Sequence, residues 1–386
     1  MESRAGNDAF LPATLEAAAE ASSLEEKGGC LFMTETRFEE SRTRERNLAM
    51  ELVRVTEAAA LSAGRWMGKG DKEKVDQAAV DAMRKALDGV DMNGIVVIGE
   101  GEKDEAPMLY VGEQVGNGLP PDVDVAVDPV DGTRLLALGL SGALAVVATA
   151  ERGSMYAAPP GVYYMEKIAV GPIARGVIDI NAPVATNLQR IAEVRSARID
   201  DVTVMILDRP RHKEIIRQVR EAGARIRLIS DGDVSAAIQA AMEDYTGVDM
   251  LMGIGGAPEA VLAAAALKCV GGEIQCKIWP LTEKDRGNLN PADLERELNR
   301  ERDRLRANGI DPDQVFHTND LVKGNDVSFA ATGITSGELV AGVEYYGWGA
   351  RTSSVMMRSH SGTVRYIQAR HKWRTSAGSL GKQRIE

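Results

Sequence analysis

The spacing of apolar residues in the first part of the chain follows a helical period. Leu48, Leu52, Val55 and Ala59 recur at intervals of three or four residues, with charged residues between them. Residues spaced in this way share one face of a helix, so the pattern predicts an amphipathic helix. A similar pattern over 75–87 predicts a second helix, and glycines separate the two.

Short apolar runs then predict three buried strands. Residues 95–98 form a continuous run that ends at Gly99, and residues 144–150 form another. Between them, valines alternate with Asp and Ala over 123–128. We expect Pro129 to end this middle strand, because proline has no N–H to donate to a neighbouring strand.

The second half of the chain alternates between strand and helix patterns. Such alternation is typical of an α/β fold built from stacked layers. The predicted strands are 202–207, 226–229, 250–254 and several within 327–367, and the predicted helices are 213–221, 234–242, one with Pro258 in its first turn, and 291–306.

Charge and composition exclude several classes of protein. The 386 residues include 57 acidic and 46 basic side chains, a net charge of −11, which disfavours a nucleic-acid-coating protein because such proteins present a cationic face. The longest apolar run, 257–270, is interrupted by charged residues and is shorter than the roughly 20 residues that a bilayer span needs. We therefore expect no membrane segment and no nucleic-acid partner.

The cysteines and the first residues predict a cytoplasmic protein. Cys30, Cys269 and Cys276 are an odd number without the spacing of metal ligands, which fits a reducing compartment. Residues 1–32 carry six acidic side chains, unlike secretory or organellar targeting segments.

The strongest chemical motif is Asp128-Pro129-Val130-Asp131-Gly132-Thr133, at the end of a predicted strand. Gly132 permits a tight turn, so Asp128, Asp131 and the Thr133 hydroxyl can converge at one sheet edge. Carboxylate oxygens that converge form the hard-oxygen site that Mg²⁺ or Mn²⁺ favours. The alternative is a solvated turn that caps the next helix.

Further carboxylates follow the same ambiguous pattern. Glu100 and Glu102 alternate with glycines directly after a strand, which indicates either a cation site or an exposed loop. Glu259, in the first turn of a helix, stabilises the helix dipole whatever else it does, and Asp76 is equally ambiguous. A dinucleotide site is disfavoured, because acidic side chains would repel a pyrophosphate. Only the combination of these carboxylates points to a metal centre.

Arg209-Pro210-Arg211-His212-Lys213 forms a local basic cluster at a strand-to-helix junction. Guanidinium groups and helix amides could bind a phosphate there, although a solvated helix start is an equally good interpretation. Asp231-Gly232-Asp233 follows the next strand, and its oxygens could accept hydrogen bonds from sugar hydroxyls or cap a helix.

These motifs, in this order, resemble class II fructose-1,6-bisphosphatase from about Met33 to the C-terminal strands. The segments that carry the resemblance are KGDKEKVDQAAV, VVIGEGEKDEAPMLYVGE, VDVAVDPVDGTR, MEKIAVGP, RPRHKEII, SDGDVSAAI, GIGGAPEA and SFAATGIT.

The resemblance implies a member of the lithium-sensitive phosphatase superfamily with an α/β/α/β/α sandwich. It implies hydrolysis of the 1-phosphate of fructose 1,6-bisphosphate with two or more Mn²⁺ or Mg²⁺ ions, in a homodimer or homotetramer. Activity on fructose 1,6-bisphosphate alone, or on sedoheptulose 1,7-bisphosphate as well, is compatible with the resemblance. The expected regions are an N-terminal extension over 1–32, a metal-binding lobe over 33–160, a sugar-phosphate-binding lobe over 161–375 and a tail over 376–386.

The resemblance also assigns roles to residues. It implies metal ligation by Asp76, Glu100, Asp128, Asp131 and Glu259. It implies substrate contacts by Asp131, Gly132, Thr133, Tyr164, Arg209, Pro210, Arg211, Asp231, Gly232, Asp233 and Gly256. We expect Thr133, Glu102 and Asp128 to act in catalysis, with Thr133 held by a carboxylate of the Glu100–Glu102 loop. The chain departs from the family pattern at Asp131, where the family has Glu, and the shorter side chain bears on metal spacing and preference.

Two other functions would share much of this pattern. An inositol or nucleotide phosphatase of the same superfamily would have a similar metal site, and a panel of substrates separates these activities. A non-catalytic metal or sugar-phosphate-binding protein would release no phosphate in the presence of Mn²⁺.

Overall fold

The computed structural model describes residues 48–101, 108–280 and 289–373, except the side chains of 243 and 244. The expected extension over 1–32, the tail over 376–386 and Glu102 lie outside the described residues. The strands are β1 (Asn93–Ile98), β2 (Gln114–Val115), β3 (Asp122–Asp131), β4 (Leu144–Glu151), β5 (Tyr164–Val170), β6 (Thr203–Leu207), β7 (Arg225–Ile229), β8 (Met250–Gly256), β9 (Glu273–Ile278), β10 (Val315–His317), β11 (Ser328–Gly333), β12 (Glu344–Tyr346), β13 (Gly349–Arg358) and β14 (Thr363–Lys372).

Helices connect many of these strands. They are α1 (48–63), α2 (Lys72–Leu87), α3 (Thr133–Leu138), α4 (Val184–Val194), α5 (Lys213–Glu221), α6 (Asp233–Ala241), α7 (Glu243–Thr246), α8 (Ala257–Val270), α9 (Pro291–Ala307) and α10 (Thr318–Leu321), with 3₁₀ turns at Gly64–Trp66, Pro172–Ala174, Ile199–Asp201 and Pro210–His212. Of the helices in the described ranges, none combines the length and the apolar character that a membrane crossing requires.

The strands form two mixed sheets. The first has the order β12-β13-β11-β4-β3-β1-β2, with β14 paired to β13, and the second has the order β10-β9-β5-β8-β6-β7. In the first sheet β1 and β3 are parallel, and in the second β6 is parallel to both β7 and β8. Strands from 328 onward thus complete the sheet begun by β1–β4. The division into lobes over 33–160 and 161–375 stays a prediction.

Three apolar cores separate the sheets and helices into five layers. Val146 and Ala148 on one face of β4 pack in a central core with α6, α8 and the inner face of the second sheet. Ala145 and Val147, on the opposite face, pack in a second core with α1 and α2. A third core joins the outer face of the second sheet to α4 and α5. The α/β/α/β/α arrangement confirms the expected fold class, and the two-sided burial of β4 explains its continuous apolar sequence.

Most predicted elements are confirmed within a residue or two, and α5 has the predicted bounds. The prediction for Pro129 was wrong. β3 continues to Asp131, and its register with β4 shifts between Asp128 and Asp131. The strand survives because the missing N–H removes only one potential ladder bond, and the irregularity accommodates it.

Candidate active site

A cleft of about 830 Å³ lies where strand ends of the two sheets meet. One wall comes from residues at the C-terminal ends of β1 and β3 of the first sheet, or just after them. The other comes from the start of β5 and from the C-terminal ends of β6, β7 and β8 of the second sheet, or just after them. Predicted site residues that line it are Glu100, Asp128, Asp131, Gly132, Thr133, Tyr164, Arg209, Arg211, Asp231, Gly232, Asp233, Gly256 and Glu259.

The end of β3 turns sharply into α3 and brings its polar side chains into the cleft. Gly132, with φ of 96°, takes a left-handed conformation that suits glycine, and it precedes the first residue of α3. The Val130 N–H donates to Asp128 Oδ1 at 3.0 Å, which fixes that carboxylate within the turn. The Ser235 N–H, in the first turn of α6, donates to Asp131 Oδ2 at 3.2 Å. Asp131 is therefore held between the two sheets.

Thr133 is held by Asp76, a partner that the sequence analysis did not choose. The Thr133 hydroxyl donates to Asp76 Oδ1 at 2.8 Å and also lies 3.3 Å from the Val130 carbonyl oxygen. The expected partner was a carboxylate of the Glu100–Glu102 loop, of which Glu102 lies outside the described residues. Among the described residues Asp76 is thus the carboxylate that accepts from Thr133, and the expected contact with Glu102 stays a prediction.

Two backbone hydrogen bonds bring Asp76 close to Thr133. The N–H groups of Gly68 and Gly70 donate to the carbonyls of Leu136 and Ala137 at 2.9 and 2.8 Å. These carbonyls lie near the C-terminal end of α3, where a helix leaves carbonyls without partners of its own. The bonds fix the start of α2 against α3, so Asp76 in the second turn of α2 reaches Thr133.

The carboxylates in and around the cleft disfavour one another's ionised forms. Burial, together with nearby Asp76 and Glu259, raises the pKa of Glu100 to about 7, although part of its side chain is exposed. Burial and Asp233 raise the pKa of Asp131 to about 8. The pKa values of Asp76, Asp128 and Glu259 are raised as well, in each case mainly by burial. A bound cation would relieve this repulsion.

These residues fit a site for divalent cations such as Mg²⁺ or Mn²⁺. The donors are carboxylates, which such ions favour. Glu259 Oε2 is buried and has no hydrogen-bond partner in the described part of the chain, so it has an acceptor to offer. Within the described ranges, no three acidic or His side chains already stand at metal-binding distances. The residues thus supply the donors, and binding would have to draw them together.

The opposite wall carries two arginines from the predicted basic cluster. Arg209 forms an ion pair with Asp231, with 2.5 Å between Nη2 and Oδ1. Arg211 donates to the Ile254 carbonyl from Nε and Nη2 at 3.1 and 3.0 Å, and its guanidinium lies 5.4 Å from the centre of the Tyr164 ring. Both side chains line the cleft in defined orientations.

The rest of the basic cluster does not line the cleft. His212 is fully buried and accepts the Ile254 N–H at Nε2, at 2.7 Å. Lys213 is exposed and lines a different surface cavity. Pro210 lies in the 3₁₀ turn between the two arginines and is absent from the cleft lining within the described residues. The cluster therefore contributes Arg209 and Arg211 to the cleft rather than a continuous cationic surface.

Several residues of the site were missed by sequence reasoning. Lys72 and Arg134 line the cleft and add positive charge to its rim, and Tyr163 lines it beside Tyr164. Lys167, buried in β5, forms an ion pair with Asp233. Lys72 precedes Asp76 by one helical turn and Arg134 follows Thr133, so their closeness to predicted site residues could have identified both. Nothing in the sequence around Lys167, which follows Glu166 in β5, pointed to Asp233.

Comparison with known proteins agrees with this geometry. Residues 46–371 match the family model described as bacterial fructose-1,6-bisphosphatase, glpX-encoded. Three cyanobacterial proteins named D-fructose 1,6-bisphosphatase class 2/sedoheptulose 1,7-bisphosphatase are similar over most of their length. The identities are 45% with that of Synechococcus sp. strain JA-3-3Ab (84% of this chain, 95% of the relative), 46% with that of strain JA-2-3B'a(2-13) (84% and 95%) and 45% with that of Synechococcus elongatus strain ATCC 33912 / PCC 7942 / FACHB-805 (85% and 96%). The chain therefore belongs to the bacterial class II fructose-1,6-bisphosphatase family.

Proposed function

We propose that this chain hydrolyses the 1-phosphate of fructose 1,6-bisphosphate, with Mn²⁺ or Mg²⁺ as cofactor, and that it also accepts sedoheptulose 1,7-bisphosphate. The observation that carries the proposal is that one cleft brings together mutually repelling carboxylates from both of its walls and the side chains of Arg209 and Arg211. Membership of the family and the names of the similar cyanobacterial proteins support the substrates.

Asp76, Glu100, Asp128, Asp131 and Glu259 would hold the divalent cations. When bound, such cations neutralise phosphate charge and lower the pKa of a water molecule. Thr133 would orient the attacking water. Its hydroxyl proton points to Asp76, so the Thr133 oxygen can accept a hydrogen bond from a water in the cleft. Positioning of this kind is the main task of an enzyme that transfers phosphoryl groups.

Arg209 and Arg211 would bind the phosphate that is not cleaved. A guanidinium group can form paired hydrogen bonds with phosphate oxygens. The contact of Arg209 with Asp231 and that of Arg211 with Ile254 fix the orientation of the two side chains before a ligand binds. Tyr164, Gly232 and Gly256 line the same cleft and would contact the sugar. This second phosphate site is what distinguishes a bisphosphatase from a phosphatase for monophosphates.

We expect release of one phosphate from fructose 1,6-bisphosphate and from sedoheptulose 1,7-bisphosphate when Mn²⁺ or Mg²⁺ is added, and none after chelation. A phosphate-release assay over these two substrates, fructose 6-phosphate, inositol phosphates and nucleotides measures this. Preference for inositol phosphates or nucleotides would favour the related phosphatases instead. Absence of any release with either metal would contradict an enzymatic function. Inhibition by Li⁺ in the same assay would support membership of the lithium-sensitive superfamily.

Arg211→Ala should raise the KM for fructose 1,6-bisphosphate by roughly 10- to 100-fold and change kcat much less. Charge-assisted hydrogen bonds to the distal phosphate contribute about 1.5–3 kcal/mol, and they form in the bound substrate as well as in the transition state. Steady-state kinetics measures both constants. Lys213→Ala is the matched control, since it removes a cation two residues away that lies outside the cleft lining. An unchanged KM in Arg211→Ala would remove this arginine from the phosphate site.

We also propose that the chain forms a homodimer or homotetramer and that it is located in the cytoplasm. Within each chain we propose that residues 33–160 form a lobe that binds metal and that residues 161–375 form a lobe that binds sugar phosphate. Support for the location comes from Cys269 and Cys276, which are buried free thiols. Light scattering coupled to size-exclusion chromatography measures the oligomeric state, and a monomeric mass would contradict it.

A further inference from the structure

One buried lysine lies within an otherwise apolar row beneath the cleft. Met165, Lys167 and Ala169 alternate along β5 and therefore share the face that packs on the central helical layer. The Lys167 side chain is only 2% exposed, and Nζ lies 2.6 Å from Asp233 Oδ2 in α6. A charge in such a place needs a partner, because removing it from water is costly. Asp233 supplies that partner.

The ion pair lies directly against the backbone of the cleft. A Cβ atom added to Gly255, which lines the cleft, would stand 2.0 Å from Asp233 Oδ2 and 2.9 Å from Lys167 Nζ. Only a residue without a side chain leaves this space to the pair. A Cβ atom added to Gly256 would likewise stand 2.0 Å from Glu259 Oε2. The two adjacent glycines thus let the Lys167–Asp233 pair and Glu259 approach the end of β8 together.

The charges of the pair reach the carboxylates proposed as metal ligands. A Cβ atom added to Gly232, the residue before Asp233, would stand 3.6 Å from Asp131 Oδ2, and Cβ atoms added to the adjacent Gly255 and Gly256 would each stand 2.0 Å from Asp233 Oδ2 and Glu259 Oε2 respectively. Asp233 begins α6, and Ser235 in the same turn donates its N–H to Asp131. Removal of Lys167 would therefore leave an additional negative charge next to the cluster, and removal of Asp233 would leave an additional positive one.

We propose that Lys167 is a positioning residue that compensates the charge of Asp233 beneath the cleft and thereby sets how strongly Asp131 and Glu259 attract divalent cations. The inference rests on the proposed function, in which these two carboxylates are metal ligands. It also revises the sequence-based interpretation of Asp233. This residue is first the partner of a buried lysine, and it contacts a ligand only from that fixed position.

The proposal predicts opposite shifts for the two single substitutions. Asp233→Asn leaves the Lys167 charge uncompensated near the ligands, so the dissociation constant for Mn²⁺ should rise by about tenfold. Lys167→Met leaves Asp233 uncompensated, so the same constant should fall. The double variant Lys167→Met/Asp233→Asn restores the local charge and should bind Mn²⁺ within about threefold of the unsubstituted protein. Calorimetric titration of the chelator-treated full chain with Mn²⁺ measures all three, and it does not depend on turnover.

A purely structural pair would give a different pattern. Breaking a buried pair destabilises the fold, so a structural role predicts that both single variants bind Mn²⁺ more weakly, and this outcome would overturn the proposal. If Lys167→Met does not fold, Lys167→Gln, which is neutral and polar, replaces it, because tighter Mn²⁺ binding in that variant supports the proposal and weaker binding refutes it. Failure of the unsubstituted protein to bind Mn²⁺ would refute the proposed metal site itself and is distinguishable from both results.

Discussion

Thr133→Ala is expected to lower kcat by about 10²- to 10⁴-fold, the usual contribution of a group that orients or transfers a proton in the transition state. The Thr133 hydroxyl donates to Asp76, which leaves its oxygen free to accept from a water in the cleft. Alanine removes this acceptor and retains the start of α3, whose N-cap is Gly132. KM should change little, because the lost interaction concerns the water rather than the sugar.

Thr133→Ser provides the matched control, since it keeps the hydroxyl and loses only a methyl group. Its kcat should stay within about tenfold of the unsubstituted enzyme. The shift in Tm on addition of Mn²⁺ should be retained by both variants, because the cluster carboxylates remain. Full kcat in Thr133→Ala, or an equal loss in Thr133→Ser, would show that the hydroxyl does not orient the water.

The contact between Thr133 and Asp76 illustrates what the sequence could not supply. Local patterns identified both residues, and they identified the elements on which they lie. The choice of partner depends on how α2 and α3 are fixed against each other, which is a matter of two backbone hydrogen bonds from Gly68 and Gly70. Residues 57 positions apart have no spacing that reveals such a contact. Sequence reasoning expected a contact with the Glu100–Glu102 loop instead, and Glu102 lies outside the described residues.

The sequence predicted the individual helices and strands more readily than the order in which the strands pair. Continuous apolar runs such as 144–150 predicted strands buried on both faces, and β4 is buried in two cores. The position of β11 between β4 and β13 depends on contacts between distant segments, and the spacing of apolar residues along the chain does not reveal such contacts. Lys167 was missed because it lies next to Glu166 in β5, and two adjacent charged residues do not reveal that one of them is buried against a distant helix.

Loss of one carboxylate of the cleft should lower kcat and should leave the Tm of the metal-free protein unchanged or raise it. Asp128→Asn should reduce kcat by about 10³-fold or more, because charge stabilisation by a bound cation is worth several kcal/mol. The metal-free variant should be as stable as the unsubstituted protein or more so, with a Tm up to about 3 °C higher. Burial, Asp131, Glu100 and Glu259 all raise the pKa of Asp128, so its ionised form destabilises the fold when no cation is bound. Phosphate release and thermal unfolding in chelator measure the two effects.

Asp122→Asn is the matched control, since it makes the same substitution at the exposed start of the same strand, where the Asp122 carboxylate accepts from Asn93. Its kcat and its metal-free Tm should both be unchanged. The Val130 N–H can still donate to the amide oxygen in Asp128→Asn, so the turn at the end of β3 should persist. In Asp128→Asn the rise in Tm caused by Mn²⁺ should shrink, because a ligand stabilises a protein only as far as it binds the folded state. A marked fall in the metal-free Tm of Asp128→Asn would contradict the argument, since it would show that this carboxylate stabilises the fold instead of opposing its neighbours.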